Sequence, residues 1–175
     1  MQNSGRFGFL SSGVVLVACL IAMASVLVVS PWPALGAGGP FGSFAGAWTG
    51  SGTLRPENGA AERIRCNANY RQRGSSDREI DLQLRCASDS YNFDLVGQFA
   101  ADDQNQISGS WTERSRSVGG TAAGIAQGER LQLHIESAGF AATLVMQTSS
   151  RRQSVTIDSQ AAGQIIKASI SLNKS

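Results

Sequence analysis

Beyond Pro40 the chain alternates apolar and polar side chains in short runs separated by turn residues. That is the period of a half-buried β-strand, not of a helix. In Arg63–Tyr70, Ile64, Cys66, Ala68 and Tyr70 share one face, and Arg63, Arg65, Asn67 and Asn69 share the other. In Glu79–Cys86 the apolar face is Ile80, Leu82, Leu84 and Cys86. Arg73-Gly74-Ser75-Ser76-Asp77 between them has hairpin chemistry. Tyr91, Phe93, Leu95, Gly97 and Phe99 continue the pattern, followed by the turn Asp102-Asp103-Gln104-Asn105 and an inner set of Ile107, Gly109 and Trp111. Leu131, Leu133 and Ile135 then alternate with Gln132, His134 and Glu136, and the Ala138-Gly139 turn leads to Phe140, Ala142, Leu144 and Met146. Val155 and Ile157, then Ile166, Ala168, Ile170 and Leu172, complete the series. Strands this short and this regularly spaced predict an all-β antiparallel up-and-down barrel of about eight to ten strands, with a sandwich as the other way to bury one face. Closure also removes the exposed strand edges.

The N-terminal part follows another rule. Arg6 is the only charge before Arg55, and residues 13–30 form an uncharged apolar run that ends at Pro31-Trp32-Pro33. A positive start, an apolar centre and the stretch Ala34-Leu35-Gly36-Ala37, which offers small residues at the −1 position of a cleavage site, predict a secretory signal peptide over residues 1–37, its apolar stretch helical, with cleavage after Gly36 or Ala37. The run approaches the ~20 residues that span a bilayer, so an uncleaved anchor is the competing reading. Leu16-Val17-Ala18-Cys19 has the form of a lipidation box, but the apolar run continues past Cys19. Residues 38–46 then read as a linker, and residues 47–175 as the barrel domain. The expected location is periplasmic or secreted, with contact to a membrane only through an uncleaved N-terminal segment.

Composition narrows the function. A net charge of +2 with 16% charged residues excludes a coiled coil and a strongly basic nucleic-acid binder. Without Cys19, one pair of cysteines remains, Cys66 and Cys86. In an oxidising compartment an even pair reads as a disulfide, here on the inner faces of adjacent strands. The loop of about twenty residues would make it worth roughly 3 kcal/mol. No metal site is expected, because one histidine and no spare thiol remain. His134 stands on the polar face of its strand, and no Gly-x-Ser-x-Gly elbow accompanies it. No cofactor is expected, and no catalysis, since no motif sets a nucleophile beside a base.

Gly46-Ala47-Trp48 at the opening strand and Gly109-Ser110-Trp111 midway along the chain are two Gly-x-Trp motifs. They resemble the pattern of the calycins, the lipocalin and avidin barrels, in which the opening tryptophan packs across the barrel floor. The resemblance covers those two motifs and implies a small exported calycin-like barrel; no biotin-site pattern accompanies it. In size, compartment and cysteine pair the chain also resembles periplasmic inhibitors of secreted metalloproteases, whose inhibitory part is an N-terminal trunk, here residues 38–44. It is similar as well to small exported proteins of Gram-negative bacteria, and a structural envelope protein is a further alternative for its function.

Core packing is the plain role for Trp48 and Trp111, and a stacking wall for a ligand is the functional one. Gly119-Gly120-Thr121-Ala122-Ala123-Gly124 carries almost no side-chain volume. It leaves a cavity, or a space filled by Trp111 or Phe140, or it is a flexible loop. If it is a cavity, its lining is Trp48, Trp111, Gly120, Ala122, Gly124 and Phe140. The expected partner is then a small apolar ligand; the alternative is a protein bound on the surface. The arginines at 63, 65, 71, 73, 78 and 85 share one hairpin with four carboxylates, where cross-strand pairing is the plain reading and an anionic partner the functional one.

Overall fold

The computed structural model describes residues 38–161 and 164–175. The leader, anchor and lipidation readings lie outside the described residues. Ten strands follow one another: β1 (Gly46–Pro56), β2 (Glu62–Gln72), β3 (Glu79–Ala87), β4 (Asn92–Ala101), β5 (Gln106–Glu113), β6 (Val118–Gln127), β7 (Arg130–Ser137), β8 (Phe140–Ser149), β9 (Arg152–Ala161) and β10 (Gln164–Lys174). Each pairs antiparallel with the next, and β1 pairs with β10, so the sheet closes into a barrel. Ten is the upper end of the expected count. The glycine-rich segment at 119–124, open between strand and loop on sequence, runs within β6.

Residues paired in register share a face, so the inward set can be followed from strand to strand. Tyr70 lies opposite Leu82, Leu82 opposite Gly97, and Gly97 opposite Trp111. Met146 lies opposite Val155, Val155 opposite Ile170, and Ile170 opposite Gly52. The inward face is largely apolar, while Arg63, Arg65, Asn67 and Asn69 are exposed on the outside. That is the reverse of a membrane-spanning barrel, whose outward band is apolar. The same register sets Cys66 opposite Cys86 with Cα atoms 4.1 Å apart, and the two form the expected disulfide.

One end of the barrel is closed by a segment that the composition places outside it. Residues 40–44 make a turn stitched to the β2–β3 connection, with Gly39 donating to the Ser76 carbonyl at 3.0 Å and Phe41 to that of Asp77 at 3.1 Å. Phe41 and Phe44 are 2% and 1% exposed. Trp48 is fully buried and donates its indole N–H to the Phe44 carbonyl at 2.7 Å. Residues 38–46 therefore supply two core side chains and the floor, because two phenylalanines three apart in a tight turn can both face the barrel end. Above them a buried polar chain runs from the Tyr70 hydroxyl to Gln153 Oε1 at 3.0 Å, and from Gln153 Nε2 to Thr148 Oγ1 at 3.1 Å. Burial pushes the Tyr70 phenol well above its ordinary range, against the opposing pull of the Gln153 bond.

Candidate functional site

The six residues proposed to line a cavity do not form one site. Trp48 belongs to the floor, where the Lys174 ammonium lies 5.4 Å from its ring centroid. Trp111 and Phe140 do meet, edge to face, with centroids 5.8 Å apart. Trp111 lies opposite Gly120 in register, and its indole N–H donates across β6 to the Thr121 carbonyl at 3.2 Å. Ala122 is buried opposite Gly109. Gly124 lies two pairs further along β6, opposite Ile107.

The glycines of β6 do not open a void. A side-chain carbon on Gly120 would stand inside the van der Waals shell of the Glu136 carbonyl oxygen, and one on Gly124 inside that of Gln132. Both oxygens belong to β7, so these positions are glycine because two backbones approach closely there. Beside Gly120 stands Trp111, its register partner, in edge-to-face contact with Phe140.

Accessible apolar surface on the inward face lies elsewhere. Toward the floor the inward residues Ile80, Ile107, Ala126, Leu131 and Leu172 are buried, and Phe99, opposite Ile80, is partly buried. Further along the strands, Leu84 and Leu95 on one wall and Ile135, Leu144, Ile157 and Ile166 on the other are only partly buried. Each is on the inward face by register, Leu84 opposite Leu95 and Leu144 opposite Ile157. Alternation marked all six as core, but it carries no signal of which core positions stay accessible. Phe140 belongs with this group, and Val118, inward at the start of β6, is 38% exposed.

One carboxylate also stands on the inward face at this end. Glu113 lies opposite Leu95 in register, and its side chain is 8% exposed. Burial pushes its pKa up, but the Ser115 hydroxyl and the backbone N–H groups of Asp94, Arg116 and Ser115 outweigh that and hold it at about 2. Its lone pairs are committed to the β5–β6 turn and to the Asp94 N–H of β4, which makes Glu113 a structural anion. Glu113→Ala leaves those three N–H groups without their acceptor, with an expected cost of about 2 kcal/mol at neutral pH. The folded pKa is depressed, so this stability is present above the ordinary value of 4.5 and is lost as pH falls toward about 2. Urea unfolding of both proteins across that range is expected to show the gap closing; a gap independent of pH would contradict this role.

The remaining candidates are surface groups. His134 Nε2 lies 3.1 Å from Glu136 Oε1, and both side chains are more than half exposed. Asp102 Oδ1 accepts from the backbone N–H groups of Gln104 and Gln106 at 2.9 and 2.8 Å, which makes the Asp102–Asn105 stretch a turn. A free inhibitory trunk at 38–44 does not fit the geometry, because its two phenylalanines are the barrel floor.

No protein-family model matches the chain, and no curated protein matches it. A solved structure of an S-type phycobiliprotein lyase, CPES from Guillardia theta, is similar in fold: TM-score 0.60 at 10% identity, over 77% of this chain and 90% of that one. The shared feature is the antiparallel barrel.

Proposed function

We propose that this chain is an exported binding protein that holds a small apolar molecule in the half of the barrel interior away from Phe41 and Phe44, without transforming it. The observation that supports this reading is the accessible surface left on Leu84, Leu95, Ile135, Leu144, Ile157 and Ile166, which are on the inward face by register. Protein interiors close-pack when nothing else is to be held, and apolar surface concentrated on an inner wall is the usual make-up of a small-molecule site. The Cys66–Cys86 bond suits an oxidising compartment, as the leader expected over residues 1–37 requires. The phycobiliprotein lyase with a similar barrel supports the architecture; at 10% identity it does not carry its substrate over.

Uptake of a neutral apolar dye, N-phenyl-1-naphthylamine, tests the reading. The wild-type protein is expected to bind it at micromolar concentration, and Leu144→Trp at least tenfold more weakly. The same variant reports on the space itself. In a filled interior the larger side chain costs about 1–3 kcal/mol, whereas beside an accessible space its urea midpoint stays close to wild type. No dye uptake by the wild-type protein, or equal uptake by Leu144→Trp, would overturn the proposal.

A further inference from the structure

The outside of the barrel carries a second feature, independent of the interior. The outer face of a closed barrel is convex, yet two recesses of about 380 and 320 Å³ lie on the outer side of β2–β5. They are consecutive along the strands: on β2, Asn69 and Arg71 line the first, and Arg65 and Asn67 the second. Leu82, Gly97 and Trp111 also border the first recess. Their register turns them inward, so on this face they present backbone, which makes the floor. At Gly97 the ring of Phe99, two residues along the same strand, lies only 2.7 Å from where a side chain would begin, so glycine is the residue that fits there.

The chemistry of the trough is ordered. Arg65, Arg71 and Arg85 line it, all exposed. Arg85 shares Asp94 with Arg114, and among the described residues Arg65 and Arg71 have no carboxylate partner. Between the cations stand the exposed amides Asn67, Asn69, Gln83 and Gln98 and two carboxylates, Asp94, shared by Arg85 and Arg114, and Asp81, opposite Arg71 in register and paired with Arg73; the one apolar side chain that points outward in the first recess is Val96. Guanidinium forks bind carboxylates in a bidentate manner. Amides both donate and accept, which suits hydroxyl groups. A nucleic-acid strand needs aromatic faces to stack its bases on. Phe93, the aromatic at the second recess, faces inward by register and has the Arg116 guanidinium 5.5 Å from its ring centroid. A bilayer surface would call for protruding apolar side chains in place of a recessed polar floor.

We propose that this trough binds an acidic polysaccharide, with its carboxylates on Arg65, Arg71 and Arg85 and its hydroxyls on the intervening amides. Calorimetric titration of the folded chain with oligogalacturonate tests it, with neutral dextran and single-stranded poly-dT as comparisons. The double variant Arg65→Gln/Arg71→Gln is expected to lose at least tenfold in oligogalacturonate affinity. Arg130→Gln/Arg152→Gln, which removes the same charge from exposed positions on β7 and β9, is expected to stay within twofold of wild type. Absence of oligogalacturonate binding, equal loss in both double variants, or poly-dT binding as tight as oligogalacturonate would overturn the proposal. Both double variants leave the interior untouched, so dye uptake reports separately on the interior site.

Discussion

Replacing Phe44 by alanine is expected to destabilise the barrel by about 3–5 kcal/mol, the range for truncating a buried aromatic. Phe44 is 1% exposed, its ring meets Tyr70 edge to face at 6.1 Å, and its carbonyl receives the Trp48 indole N–H. Truncation opens a cavity at the floor beside a fully buried tryptophan and the Tyr70–Gln153–Thr148 chain, whose polar groups then stand near a breach. A loss of that size is a large share of the 5–15 kcal/mol that holds a typical domain together. Ser43→Ala, one residue away and outside the core, is the internal reference and is expected to change stability by less than about 0.5 kcal/mol. Urea unfolding of the three proteins makes the comparison. If Phe44→Ala matched Ser43→Ala, residues 38–46 would be a linker after all and the floor would have another origin.

Gly124→Val is expected to be nearly as damaging, at about 3 kcal/mol or more, the upper end of overpacking costs. The new side chain would meet the Gln132 carbonyl oxygen, a backbone atom of β7 that can move only if the β6–β7 pairing opens. A void beside the glycines would give the opposite sign, because the added methyl groups would fill it and the variant would be neutral or more stable. Ala123→Val, exposed on the outer face of the same strand, is expected to stay within about 0.5 kcal/mol of wild type. Thermal or urea unfolding of this pair of variants therefore decides whether the glycines serve backbone approach or leave empty space.

The strands and their faces were legible because alternation is a local signal: Ile64, Cys66, Ala68 and Tyr70 declare their side of β2 without reference to any other strand. The disulfide followed from the same parity once β2 and β3 were read as a hairpin. The floor was less visible. Phe41 and Phe44 sit among glycine, serine and alanine with no strand period, and the only available sign was two large apolar residues three apart just before a Gly-x-Trp. What Gly120 and Gly124 do depends on where the backbone of β7 passes, which no local pattern encodes. Glu113 was within reach, since it follows Trp111 at the inward period and a carboxylate there calls for donors. The outer trough was not, because its arginines and amides look like any solvated strand face, and a recess between strands leaves no trace in the pattern of one strand.

The most direct test of a ligand site in the barrel interior is methyl NMR of the full domain titrated with N-phenyl-1-naphthylamine. The expected result is saturable shift changes at the methyl groups of Leu84, Leu95, Ile135, Leu144, Ile157 and Ile166, with those of Ile80, Ile107 and Leu131 near the floor unmoved. No shift changes in the first group, or equal changes in both, would contradict a site in the interior half away from Phe41 and Phe44.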